Sequence, residues 1–338
     1  MTRTLAVRLD SLGDVLVTGP AVRALAASSS SLTVLAGPLG RPAAELLPGV
    51  DEVLCWRAPW IDARPEPVDR EHVERLRGDL EARRFDRAVV FTSFHQSALP
   101  TALVLRLAGV PWVGAISEDY PGSLLDVRHQ VPDQLPEPVR ALSLAAACGA
   151  PLPPGDDGSL AVRLDARRLL PPGIEPPYVV LHPGTSVPAR AWPADRFREA
   201  CALMVSEGHR VLVTGSPAER ELTAYTSGVS GAEDLGGHTD LAGLARVLAH
   251  AQVVVVGNTG PAHLAAAVGT PVVSLFAPTV PAAQWAPYGV PRVLLGDQQA
   301  ACRDTRATTC AVPGHPCLGS VSADDVLAAV RTLSGASV

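Results

Sequence analysis

Lysine is absent: all 28 basic residues of this 338-residue chain are arginine. Coding bias towards Arg, Ala and Pro accounts for the absence as such. Its local consequence is chemical, because any cationic phosphate contact here must come from a guanidinium, a planar fork that grips two oxygens at once. No apolar run reaches the roughly 18 residues that a membrane-crossing helix needs. A strand-like segment, Leu5-Ala6-Val7-Arg8-Leu9, begins almost at the first residue, where a secretory signal would need a long apolar stretch. A cytoplasmic chain is expected, with membrane contact peripheral at most. The net charge of −6 gives nucleic acid no electrostatic footing, so no nucleic-acid partner is expected.

Cysteine is sparse and unpaired in pattern. Cys55, Cys148 and Cys201 stand apart, and Cys302, Cys310 and Cys317 gather near His315 without the C-x-x-C knuckles of a structural zinc site. Reduced thiols in a folded tail are the expectation, with no metal. A Walker phosphate loop, the three-glycine dinucleotide fingerprint after the first strand, H-E-x-x-H and G-x-S-x-G are all missing. No cofactor is expected.

The order of apolar segments points to an α/β fold. Strands are expected at 5–9, 32–36, 51–56, 87–91 and 111–116, with helices at 14–27, 69–84 and 97–108 between them. The runs are continuous rather than alternating, as in parallel strands covered on both faces. Residues 151–177 are rich in proline and glycine and read as a linker, with a strand expected at 160–164. Asp156-Asp157 within it is expected to solvate the linker. A second alternation follows: strands at 178–182, 210–214, 253–257 and 272–276, and helices at 193–206, 217–226, 241–250, 261–268 and 323–333. Two doubly wound domains are therefore expected, residues 1–165 and 166–338, meeting at a central cleft. Ligands in such folds lie at the carboxyl ends of strands.

The strand-to-helix loops carry the chemistry. In Ser11-Leu12-Gly13-Asp14 the carboxylate either caps the following helix or serves as a general base for a hydroxyl proton. His182-Pro183-Gly184-Thr185-Ser186 followed by Arg190-Ala191-Trp192-Pro193 offers two hydroxyls and a guanidinium, either a diphosphate cradle or turn residues beside a solvated charge. Glu219, after the strand ending in Thr214-Gly215, either accepts ribose hydroxyls or favours the first turn of its helix. Val256-Gly257-Asn258-Thr259-Gly260-Pro261-Ala262-His263 ends a valine run in a turn and opens a helix, expected to start at Pro261. Unpaired N–H groups and the positive dipole end there attract phosphate; the alternative is that Asn258, Thr259, Gly260 and His263 are turn and cap residues, a lone His usually being a buried polar group.

These motifs together, in order and spacing over nearly the whole chain, resemble glycosyltransferase family nine, the ADP-heptose heptosyltransferases. The matching pieces are Ser-Leu-Gly-Asp, His-Pro-Gly-Thr-Ser with Arg-x-Trp-Pro, and Gly-Asn-Thr-Gly-Pro-x-His-Leu-x-x-Ala-x-x-Gly-Thr-Pro, with Cys302, Cys310 and Cys317-Leu318 before a terminal helix. The resemblance implies a GT-B fold of two Rossmann-like domains, with the acceptor on the first and the donor on the second. It implies an inverting, metal-independent transfer of heptose from a nucleotide sugar, ADP-heptose above all, to a glycan or small-molecule acceptor. By the family's pattern Asp14 is the catalytic base, with Ser11 and Gly13 beside the acceptor. Thr185, Ser186, Arg190, Asn258, Thr259 and Gly260 fall at the donor, to which the strand-end reading adds Glu219 and His263. Family members often carry Lys where Arg190 stands and Asp where Asn258 stands, which leaves the sugar open. Rival readings are a sugar-nucleotide epimerase of similar architecture and a non-catalytic nucleotide-sugar binding protein.

Overall fold

Short, mostly apolar segments build two six-stranded sheets in the computed structural model, which describes residues 2–62, 65–132 and 134–335. Each sheet belongs to its own unit, Met1–Arg163 and Leu164–Val338. In the first unit the order of elements is β1 (Arg3–Arg8), α1 (Leu12–Val17), α2 (Gly19–Ala27), β2 (Ser31–Ala36), α3 (Arg41–Ala44), β3 (Glu52–Cys55), α4 (Arg70–Arg83), β4 (Arg87–Val90), α5 (Leu99–Leu107), β5 (Val113–Ile116), β6 (Val127–His129) and α6 (Glu137–Ala147). Every strand pair is parallel and the spatial order is β3-β2-β1-β4-β5-β6.

The second unit repeats that plan. It runs β7 (Val179–His182), α7 (Ala194–Ser206), β8 (Val211–Val213), α8 (Arg220–Ser227), β9 (Ala232–Asp234), α9 (Leu241–Ala249), β10 (Val253–Gly257), α10 (Gly260–Ala267), β11 (Val272–Leu275), α11 (Ala282–Trp285), β12 (Arg292–Leu295), α12 (Pro316–Gly319) and α13 (Ala323–Gly335). The order β12-β11-β10-β7-β8-β9 is the same winding. In both units the chain reverses direction across the sheet after its third strand. The reversal falls between β1 and β4 in one unit and between β7 and β10 in the other. At such a point the loops diverge to opposite faces and leave a crevice for a ligand.

Burial explains the layers. Leu5, Val7, Val90 and Ala115 of the first sheet pack with Leu76, Leu80 and Leu105 from its helices. Val179, Leu181, Val253, Val255 and Leu275 of the second pack with Phe197, Met204, Val326 and Val330. The central strands are apolar because both faces are covered.

Several expectations change on contact with the structure. The single helix expected over 14–27 is two helices broken at Thr18, because Pro20 has no N–H to continue the ladder and the Thr18 hydroxyl donates to the Asp14 carbonyl at 2.8 Å. The strand expected at 160–164 does not form. Those residues run as irregular chain, with the Arg163 N–H donating to the Leu46 carbonyl, in the turn after α3, at 2.7 Å. Asp156 does not merely solvate the linker: it takes both Nε and Nη2 of Arg23 at 2.7 Å and the Gly158 N–H at 2.9 Å. These bonds, Arg23's first, hold its carboxyl below the usual range. Strands β6, β9 and β12, unforeseen, lie at sheet edges, where none of their residues is fully buried.

Candidate functional site

Arg8 ends β1 after the buried run Leu5-Ala6-Val7, and its guanidinium is the organising charge of the first unit's crevice. Its side chain is 3% exposed and lies among three carboxylates. Nε stands 2.9 Å from Asp10 Oδ2, Nη2 stands 3.0 Å from Asp14 Oδ1, and Nη2 lies 3.9 Å from Glu137 Oε2. A buried guanidinium must be paired, since stripping its hydration costs several kcal/mol. Asp14 is the third residue of α1 and caps the helix start reciprocally with Ser11, the N-cap residue. Within this capping box Asp14 Oδ2 accepts from the Ser11 N–H at 3.2 Å and from the Ser11 hydroxyl at 2.5 Å. Asp14 Oδ1 also accepts from the Ser93 hydroxyl at 3.3 Å. The carboxylate is therefore held by Arg8, Ser11 and Ser93 together. It is, however, the most accessible of the three, 16% exposed against 9% for Asp10 and 2% for Glu137. Ser11 is exposed and Gly13 is buried in the first turn of α1.

The loop after β4 completes this crevice at the reversal point. Gln96 Nε2 donates to Asp10 Oδ1 at 2.5 Å, and Gln96 Oε1 in turn accepts the Ser93 N–H at 3.0 Å. Arg140 on α6 donates to the Thr92 carbonyl at 2.5 Å and lies 3.7 Å from Glu137. Burial raises the Asp10 carboxyl to about 6, opposed by Arg8. Of these residues the motif pointed only to Asp14 and Ser11. Arg8 had a readable signal, a charge directly following the apolar run Leu5-Ala6-Val7, which when buried demands a partner. Gly37, beyond β2, supports the turn from below: a Cβ there would lie 2.2 Å from the Leu9 carbonyl oxygen, a backbone atom with little room to move. Gly37→Ala is expected to cost roughly 1–3 kcal/mol in denaturant unfolding, as overpacking does; an unchanged midpoint would show that this turn yields freely.

In the second unit the chemistry also gathers at the reversal, after β7 and after β10. The 3₁₀ turn Pro188–Arg190 brings the half-buried Arg190 guanidinium back over the β10 loop, where Nη1 donates to the Asn258 carbonyl at 3.4 Å. Asn258 is the sole asparagine of the chain and is buried. Its side chain spans to β11's end, Oδ1 accepting the Ala277 N–H at 3.3 Å and Nδ2 donating to the Ala277 carbonyl at 3.4 Å. Thr259 is the N-cap of α10 and Gly260 its first residue, so the helix opens one residue before Pro261. Pro261, at the second position, has no N–H to leave unpaired. Thr185 shapes its own loop, its hydroxyl accepting the Val187 N–H at 3.2 Å, and Ser186 is exposed beside it. His263 is buried in α10.

Glu219 joins the β7 and β8 loops. Its Oε2 accepts the Ser216 N–H at 2.7 Å, and the carboxylate rests where a Cβ on Gly184 would stand, 2.0 Å from Oε1. Only glycine at 184 admits that approach. His182, at the end of β7, is buried with Nδ1 3.0 Å from the Thr214 hydroxyl. Burial lowers its pKa, opposed by the Glu219 charge. Unfolded chains protonate histidine near pH 6.5 while the native one resists, so native stability should fall as pH drops below that value. Denaturant unfolding across this range should show the loss, and His182→Gln should flatten it; an equal slope in both proteins would remove His182 as its source. The six cysteines are free, with Cys302 and Cys317 buried. No cluster of three or more metal-ligating side chains occurs among the described residues.

Two parallel sheets of identical winding, each with polar loops at its reversal, define the Rossmann-like α/β architecture of GT-B sugar-nucleotide transferases. A family model for glycosyltransferase family 9 (heptosyltransferase) matches residues 73–314. The chain is 30% identical over 322 residues to lipopolysaccharide heptosyltransferase 1 of Pseudomonas aeruginosa, spanning 87% of this chain and 83% of that protein. Among solved structures it resembles a family 9 glycosyltransferase from Veillonella parvula, with a TM-score of 0.77 and 16% identity over 99% of this chain and 98% of the other. It also resembles the E. coli heptosyltransferase WaaC solved with ADP-2-deoxy-2-fluoro heptose, with a TM-score of 0.73 and 22% identity over 98% and 99%. The chain belongs to glycosyltransferase family 9 and is an enzyme of the heptosyltransferase type.

Proposed function

We propose that this enzyme transfers heptose from ADP-heptose to a hydroxyl of a lipopolysaccharide-type glycan, by a single inverting displacement that needs no metal. Asp14 takes the proton of the acceptor hydroxyl. The oxygen attacks the anomeric carbon, the bond from that carbon to the diphosphate oxygen breaks, and the electron pair leaves on ADP. The departing charge needs aligned donors that are already in place. Arg190, the hydroxyls of Thr185 and Ser186, and the backbone N–H groups opening α10 at Thr259 and Gly260 would supply them. Glu219 would meet the ribose, and His263 and Asn258 would brace the loop. Ser11 and Gly13 would border the acceptor. Names of relatives support the donor and acceptor: one is a lipopolysaccharide heptosyltransferase, and another was solved with an ADP-heptose analogue.

The observation that carries the donor assignment is the bond from Arg190 to the Asn258 carbonyl, which ties the only basic group of the β7 loop to the start of α10. The first unit would hold the acceptor and the second the donor. Among the described residues no helix is long and apolar enough to cross a membrane; reaction at the cytoplasmic face, with peripheral contact at most, is part of the proposal. Titration with ADP in excess EDTA tests the donor site. At ADP a hundred times its dissociation constant the folded enzyme should gain about 2.7 kcal/mol, seen as a raised Tm. No shift at saturating ADP, or a shift only with added divalent metal, would overturn it.

A further inference from the structure

Asp14 is accessible, yet it shares its cation with a second carboxylate that no acceptor can reach. Asp10 is held from two sides, by Arg8 Nε at 2.9 Å and by Gln96 Nε2 at 2.5 Å, in a turn whose neighbouring strand end, at Gly37, has no room for a Cβ. The groups facing it come from every surrounding element: Arg8 on β1, Asp14 on α1, Ser93 and Gln96 after β4, and Glu137 and Arg140 on α6, with Glu118 acting on Arg140 from beyond β5. Fully ionised, Asp10, Asp14 and Glu137 oppose the two guanidiniums of Arg8 and Arg140, a surplus of one negative charge in a buried place. Such a surplus raises the proton affinity of whichever carboxylate can take a proton.

The geometry points to Asp10 as a positioning residue that acts on Asp14 through Arg8. This rests on Asp14 being the catalytic base. An ionised Asp10 takes part of the guanidinium's attraction, so Asp14 remains a stronger base than a carboxylate paired alone with arginine. During transfer the acceptor O–H bond breaks and an Asp14 O–H bond forms. Asp10 stays an anion throughout, so when Asp14 is protonated Arg8 keeps its nearest counter-charge, with Glu137 farther off at 3.9 Å. Gln96 favours the ionised form of Asp10 by donating to it. The burial that lifts the Asp10 carboxyl to about 6 means that this support is withdrawn as pH falls through that value.

The test is the pH profile of kcat and kcat/KM for the wild type, Asp10→Asn, Gln96→Ala and Asp14→Asn, with donor and acceptor varied separately. Asp10→Asn removes a negative charge beside Arg8, which favours ionised Asp14. Its acid limb should move down by about one pH unit and its plateau turnover should fall by roughly tenfold, with donor KM unchanged. Gln96→Ala, on a half-buried loop position, removes a donor that favours ionised Asp10, so the support is withdrawn at a higher pH and the limb should move up, opposite to Asp10→Asn, by less than about one pH unit. It keeps the test alive if Asp10→Asn does not fold. A limb at the wild-type pH in whichever of these variants folds overturns the inference and leaves the base assignment intact. Wild-type turnover in Asp14→Asn instead removes the base itself, and the two failures are distinct.

Discussion

Asp14→Asn should lower turnover by roughly 10²–10⁴, the usual worth of a positioned general base, while changing stability by no more than about 1–2 kcal/mol. The amide retains the shape of the carboxylate and can still accept from Arg8 through its oxygen, but it cannot take a proton. Asp10 and Glu137 remain to neutralise the buried guanidinium, which is why unfolding should change little. Turnover and denaturant midpoint measured on the same preparation separate the two effects. Near-normal turnover, or a loss that matches the fraction unfolded, would take Asp14 out of the reaction. Because kcat should fall with acceptor KM nearly unchanged, the variant should remain a good binder of both substrates.

Arg190→Ala should produce the second large loss, about 10²–10³ in kcat/KM for the donor, the scale on which a missing charge-stabilising donor is felt. In this chain no lysine can substitute, and Arg190 is the basic side chain that reaches the α10 opening through Asn258. Arg190→Lys separates charge from shape. It keeps the cation but loses the fork that spans two oxygens, so an intermediate activity is expected. The Ala variant should also lose the Tm increase given by ADP, whereas Asp14→Asn should keep it. Equal ADP stabilisation in Arg190→Ala and wild type would move the diphosphate elsewhere.

Much of this was legible before any coordinates. The four valines ending in Gly257-Asn258-Thr259 announced a buried central strand, and β10 has the expected bounds because its apolar run stops abruptly at a turn. Edge strands such as Val127–His129 were silent, because a half-exposed strand of three residues has no pattern of its own. At the first crevice the sequence motif exposed Asp14 but not its surroundings. Ser93 and Gln96 lie far along the chain from Asp10 and Asp14, and the parallel pairing of β1 with β4 brings those two loops together, while Glu137 comes from α6. The motif placed Asn258 at the donor but gave no sign of the bonds that its side chain makes to the Ala277 backbone, because Ala277 lies on the loop after the neighbouring strand β11.

The most direct measurement is the anomeric configuration of the product, followed by NMR during transfer from ADP-heptose to a lipopolysaccharide inner-core acceptor in excess EDTA. A single displacement with Asp14 as base predicts inversion at the anomeric carbon, one ADP released for each bond formed, and no change in the donor when acceptor is left out. Retention of configuration, or isomerised donor without acceptor, would contradict it.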